Sequence, residues 1–221
     1  MSCGAVVRAE MEDDVHHFTL ELAHADGIVA TVTGEAIRTP WSICPGALAR
    51  LSDLEGKPLD DLIALSANDR AQQCMHLFDL ALLAARHAVK SDFATIYRVD
   101  GDFDHTPPRM RLWRAGEEVL AWSIIDQCIA GSQYDGVPLN RLASALEDAT
   151  EQDAEAALIL RRASLIAAVR TLDLDQYRDA DHVNPHAPAV CFARQPERSA
   201  DAARVIGSGR DFFGTARWPL S

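Results

Sequence analysis

A chain of 221 residues, 48% of them apolar, is long enough to bury a substantial core. Its 33 acidic against 21 basic residues leave a net charge of -12, which repels a phosphate backbone and argues against nucleic acid as the partner. The mainly apolar stretch 77–89 carries Asp79, Arg86 and His87 and is too short to span a bilayer, so no membrane partner is expected and a small-molecule substrate is.

From 16 to 37 the residues alternate as strands do, with Phe18, Leu20 and Leu22 on one face and His17, Thr19 and Glu21 on the other, around an Asp26-Gly27 turn. Pro40 and Trp41 end this hairpin. Pro45 suits the first turn of a short helix over 46–54 that Gly56 closes. A brief helix over 59–65 follows, and Ser66-Ala67-Asn68-Asp69 looks like a capping box opening a helix over 66–90. Apolar residues ring most of that helix, which predicts that it is the central buried one.

The order then repeats: strands over 93–99, 110–114 and 119–125, with helices over 139–146 and 153–172. Strands followed by helices, twice, predict an α+β fold in which antiparallel sheet packs against a central buried helix and several shorter ones. The chain reads as a single domain, 1–221, with a weak two-part repeat at about 14–90 and 93–172 and a C-terminal loop and helix region over 173–221. The polar segment 173–188, with Tyr177, His182, Asn184 and His186, reads as a covering loop. The first 14 residues lack the apolar core of a secretion signal, and five cysteines at wide spacings, Cys3, Cys44, Cys74, Cys128 and Cys191, suit a reducing compartment. A bacterial cytoplasm is the expected location, with homo-oligomerisation left open.

Asp13-Asp14-Val15-His16-His17, Arg38 with Pro40, Cys44-Pro45-Gly46-Ala47, Gly56-x-Pro58-Leu59 and Cys74-x-His76-Leu77 together resemble a family of bacterial proteins catalogued as domain of unknown function 2889. The resemblance covers most of the chain and implies next to nothing about activity. That family's second cysteine is usually framed Gly-Cys-Thr-His, whereas here it stands in Gln73-Cys74-Met75-His76.

Cys44, placed before Pro45 at an expected helix N-cap, would face the positive end of a helix dipole, which favours a thiolate; the alternative is an inert buried cysteine. Residues two apart on a helix point roughly 200° apart, so Cys74 and His76 could not chelate one ion if both were helical. His76 shares its face with Asp79, which could orient the imidazole as a general acid or base, or it is a satisfied core histidine. His16 and His17 point to opposite faces, and His16 points inward if the Phe18 face is the core. Asp13 and Asp14 read as a solvated charge run. Arg38 is a candidate anchor for a carboxylate, or else a surface ion pair. Tyr97, Trp113 and Trp122 could line an aromatic pocket or belong to the core. No Gly-x-Ser-x-Gly elbow and no phosphate loop are present.

Two functions fit these residues. One is a small-molecule enzyme using neither metal nor organic cofactor, of lyase, decarboxylase or isomerase type, acting on a small acid or alcohol, aromatic ones included. Its catalytic candidates are His76, Asp79, His16, His17 and Cys44, with Arg38, Tyr97, Trp122 and Tyr177 binding substrate. The other is a metal-binding or assembly protein built on Cys44 and the cysteines and histidines near it.

Overall fold

Alternation sets the first sheet. In β2, His17–Ala25, the side chains of Phe18, Leu20 and Leu22 all point to one face and are buried, while those between them are not. β1, Ala5–Glu12, pairs antiparallel with β2 on one side, and β3, Ile28–Arg38, on the other, giving the order β1-β2-β3. The computed structural model describes residues 5–63, 72–90, 94–104, 106–167, 172–183 and 191–212. The capping box proposed at Ser66 to Asp69, and Asn184 and His186, lie outside them.

By its contacts the chain divides into two compact units, Met1–Ser91 with Asp173–Ser221, and Asp92–Leu172. In the first unit α1, Leu59–Ile63, leads to α2, Met75–Ala88, whose Leu77, Phe78, Leu80, Ala81, Ala84 and Ala85 share one core with Phe18, Leu20 and Leu22. α2 is the buried helix of this unit. It begins at Met75, with Cys74 at its N-cap, so the spacing argument that separated Cys74 from His76 does not apply: Cys74 is not helical. A 3₁₀ helix, Cys44–Leu54, packs against β3 through Ala47, Leu51 and Leu54. Gly34 on β3 is fixed by its neighbour β2 instead, since a Cβ there would stand 2.6 Å from the Thr19 carbonyl oxygen, while Leu48 and Leu51 would lie at ordinary contact, 3.4–3.5 Å.

Within 173–188, expected as a loop, the chain forms short 3₁₀ turns at Leu174–Gln176 and Ala180–His182, and a third follows at Phe192–Arg194. They are held by bridges from Trp41 to Arg204 and from Asp179 to Ala203, over a small core of Trp41, Cys44, Ala180, Ala193 and Ala202. Arg204 donates to the Pro40 carbonyl at 2.8 Å and the Ser208 hydroxyl at 2.6 Å and pairs with Asp175.

The second unit is a four-stranded antiparallel meander, β4 Tyr97–Asp102, β5 Arg109–Arg114, β6 Glu117–Ile125 and β7 Cys128–Ala130, in that order. A 3₁₀ helix, Leu139–Leu146, and α3, Glu151–Ala167, bury Leu142, Ala157 and Leu160 against Leu112, Leu120 and Trp122. The chain is thus α+β, with antiparallel sheets packed on helices. Among the described residues no helix is long and apolar enough to cross a membrane.

Both units contain the same clamp. In the first, Asp26 and Gly27 turn the hairpin with φ of 52° and 77°, and after an excursion the chain returns at Gly56, φ 76°. There Gly56 N–H donates to Val29 O, Val29 N–H to Lys57 O and Leu59 N–H to Gly27 O, at 2.8–2.9 Å. In the second, Asp126 and Gln127 turn with φ of 48° and 66°, the chain returns at Gly136, φ 78°, and Gly136 donates to Ile129 O, Ile129 to Val137 O and Leu139 to Gln127 O. The preceding carboxylate does the same work in each: Glu55 accepts from Val32 N–H and Asp135 from Gly131 N–H. The positive φ at Gly56 and Gly136 explains why glycine stands at both.

Candidate functional site

The four residues between β1 and β2, Asp13, Asp14, Val15 and His16, form a tight loop. Asp13 N–H donates to the His16 carbonyl at 2.9 Å, and the Asp13 Oδ1 accepts from the backbone N–H groups of Val15 and His16 at 2.8 and 2.7 Å. This Asx-type closure turns the His16 ring toward the core face of β2. His16 stacks on Phe18 with ring centroids 5.9 Å apart, and His76, from the first turn of α2, lies against both rings, 3.8 Å from His16 and 6.2 Å from Phe18.

Asp13, His16 and His76 therefore converge. Each offers one ligand atom, and these atoms all lie within 4.8 Å of one another. His16 Nδ1 is 3.1 and 3.2 Å from the two Asp13 oxygens, and His76 Nε2 is 3.6 Å from Asp13 Oδ2. The side chains of Asp13, His16 and His76 retain 18%, 13% and 6% of their exposure, so the cluster sits just beneath the surface. Burial pushes the Asp13 carboxyl up, but the charge and hydrogen bond of His16, the charge of His76 and the Val15 N–H more than offset it, holding the group well below the usual carboxylate range.

Arg38 closes the loop from beneath. Its Nη1 donates to the carbonyls of Asp14 and Ser208, and its Nη2 to Glu12 Oε1 and the carbonyls of Asp13 and His16, at 2.6–3.2 Å. Four hydrogens on those two nitrogens meet five acceptors, so one is shared. The Arg38 side chain is 9% exposed and its fork is filled by the chain itself, so in this structure it braces the loop carrying Asp13 and His16. Ser208 and Arg210, whose N–H donates to Asp14 O at 2.7 Å, tie the C-terminal segment to the same loop.

His17 points away from this cluster, its Nε2 2.6 Å from Glu10 and its Nδ1 3.8 Å from Glu12. Asp79 is half-buried on α2, and the carboxylate set against His76 Nε2 is that of Asp13. Cys44 is not an N-cap: Ile43 is, and Cys44 is the first residue inside its 3₁₀ helix. Burial, reinforced by the neighbouring Cys74 and Cys191 thiols, pushes the Cys44 thiol up, opposite to the thiolate expected there. Cys44 and Cys74 are both buried free thiols. Tyr177 packs against the small core around Trp41 and Cys44.

Tyr97 and Trp122 belong to the second unit. The Trp122 ring is 1% exposed, its N–H donates to Ser164 Oγ at 2.9 Å and Tyr134 meets it edge-on, so it is a core residue with no face left to line a pocket. Tyr97 donates its hydroxyl to the buried Glu155 carboxylate, and burial together with that carboxylate pushes the phenol up.

Asp13 is the member that sequence reasoning missed. The usable signal was Asp13 three residues before His16, the spacing of a side chain that caps its own loop. No family profile, no curated protein and no solved structure matches this chain.

Proposed function

We propose that the first unit is a small-molecule enzyme whose reacting centre is Asp13, His16 and His76, working by proton movement or charge stabilisation of the lyase, decarboxylase or isomerase kind. One observation carries this reading: a loop and a helix far apart in sequence bring a charged carboxylate and two imidazoles together just below the surface, in a loop whose backbone is over-determined by Arg38. A core that needed only packing has no use for a carboxylate kept ionised against burial. Cys44, neutral and buried, supports neither a nucleophile nor the assembly alternative built on it.

The test is a screen of small carboxylic acids and aromatic alcohols by NMR at near-stoichiometric protein, wild type beside His76→Ala and His16→Ala. Turnover should fall by ~10²–10⁴ in both variants while circular dichroism shows them folded. Turnover that both folded variants retain would retire this centre.

A further inference from the structure

We infer that Asp13, His16 and His76 are the three protein ligands of a divalent first-row transition-metal ion, a site that departs from the metal-free enzyme expected from sequence and rests on placing the chemistry at this centre. The spacing of the donors is the first argument. Ligand atoms about 2.0–2.1 Å from a common ion stand roughly 3.3–3.4 Å apart in tetrahedral geometry and about 2.9 Å apart in octahedral. His16 Nδ1 is 3.2 Å and His76 Nε2 is 3.6 Å from Asp13 Oδ2, and all three ligand atoms lie within 4.8 Å of one another, so the donors reach an ion by closing onto it. The 3.6 Å separation is too long for a hydrogen bond, and His16 Nδ1 is almost equidistant from both carboxylate oxygens rather than committed to one.

The second argument is division of labour within the carboxylate. Oδ1 is taken by the N–H groups of Val15 and His16, while Oδ2 faces both ring nitrogens, 3.2 Å from His16 Nδ1 and 3.6 Å from His76 Nε2. A ligating carboxylate held by backbone donors on one oxygen, on a loop braced by Arg38 through the carbonyls of Asp13 and His16, has the supporting shell that metal sites require. Phe18 backs both imidazoles and fixes their planes.

Two histidines and one carboxylate are a borderline donor set that suits Zn²⁺, Fe²⁺, Co²⁺ or Mn²⁺ better than Ca²⁺ or Mg²⁺. Three protein ligands leave further coordination positions for water or substrate, the pattern of a catalytic rather than a structural ion. A bound ion there would acidify water or polarise a carbonyl, the charge stabilisation the proposed reaction needs.

The test uses the full chain, stripped with a chelator and titrated with Co²⁺ while visible absorption is followed, with Zn²⁺ as competitor. One ion per chain is expected, with ligand-field bands and no intense thiolate charge-transfer band. His16→Ala and His76→Gln should each weaken binding by at least the roughly 10–100-fold that loss of a supporting partner alone causes. Cys44→Ser should leave binding unchanged. Thermal melts of the stripped variants separate lost ligation from lost folding. No binding by the wild type at millimolar Co²⁺, binding that survives both folded histidine variants, or a thiolate band abolished by Cys44→Ser would each overturn the inference. Stoichiometric binding with no turnover of any small molecule would keep the metal site and retire the enzyme. Turnover by protein that binds no ion would do the reverse.

Discussion

Arg38→Ala separates a brace from a substrate anchor. In the structure the Arg38 side chain is 9% exposed and reaches five acceptors, four of them backbone carbonyls, with the fifth on Glu12, itself 15% exposed. Hydrogen bonds to charged groups contribute about 1.5–3 kcal/mol each when removed singly, but five on one fork are not additive. Breaking a buried charged network by removing one partner costs about 3–5 kcal/mol, and that is the expected loss. Arg8 and Glu21 supply the internal control: their ion pair is shorter, 2.6 Å, but 80% and 51% exposed, so Arg8→Ala should cost less than about 1 kcal/mol. Urea unfolding of both variants, read as a midpoint change at constant m, measures the difference. Arg38→Lys keeps the charge but loses the fork, and should recover only part of the loss. If Arg38→Ala costs under about 1 kcal/mol and raises only an apparent KM, Arg38 is an anchor after all and the brace is refuted.

Thiol labelling of the native protein checks the placement of the cysteines: Cys128 and Cys191, half-buried, should react ahead of Cys44 and Cys74, and a Cys44 that reacts first would show a thiolate the structure does not support. Asp179, which caps the turn Ala180–His182, has its carboxyl drawn down to about 2 by hydrogen bonds from His182 and Arg178. A depressed carboxyl contributes stability that is fully present above its ordinary value of 3.8 and is lost as pH falls toward about 2, so the acid limb of a stability profile should flatten in Asp179→Asn, and an unchanged limb would refute the cap.

Strand alternation and turn chemistry made much of the scaffold legible. The Phe18, Leu20, Leu22 face, the Asp26-Gly27 turn and the short helices after Pro45 and Pro138 all follow from local rules that the tertiary structure did not override. β1 escaped because Val7, Ala9 and Met11 alternate with Arg and Glu in a segment of weak hydrophobicity, and only pairing with β2 makes it a strand. The helix expected over 66–90 from the Ser66 to Asp69 capping box starts instead at Met75 in α2, because the Cys74 backbone is extended, ψ 122°, and breaks the helical period there. The site was less legible for a different reason. Asp13 and His76 are brought together by the packing of α2 on β1 and β2, which no local spacing encodes, so the nearer carboxylate, Asp79, looked like the partner.

The repeated clamp acts as a control inside the chain on which residues carry chemistry. Segments 52–62 and 132–142 both hold Ser, Gly, Pro and two Leu at matching places, and in each the Gly and Pro build the same hydrogen-bonded return onto a hairpin while the leucines fill the core. Gly56-Lys57-Pro58-Leu59 is therefore explained by architecture, since the second unit keeps it as Gly136-Val137-Pro138-Leu139. What the second unit does not repeat is the Asp13-Asp14-Val15-His16 loop. Where the first unit sets His76 at the start of its long helix, the early turns of α3 carry the buried Glu155, bonded to Tyr97. The hydrogen-bonded return and its leucines occur in both units and are accounted for by architecture, whereas the loop of Asp13 and His16, the Arg38 that braces it, and His76 stand in the first unit, which is why the proposed centre is placed there.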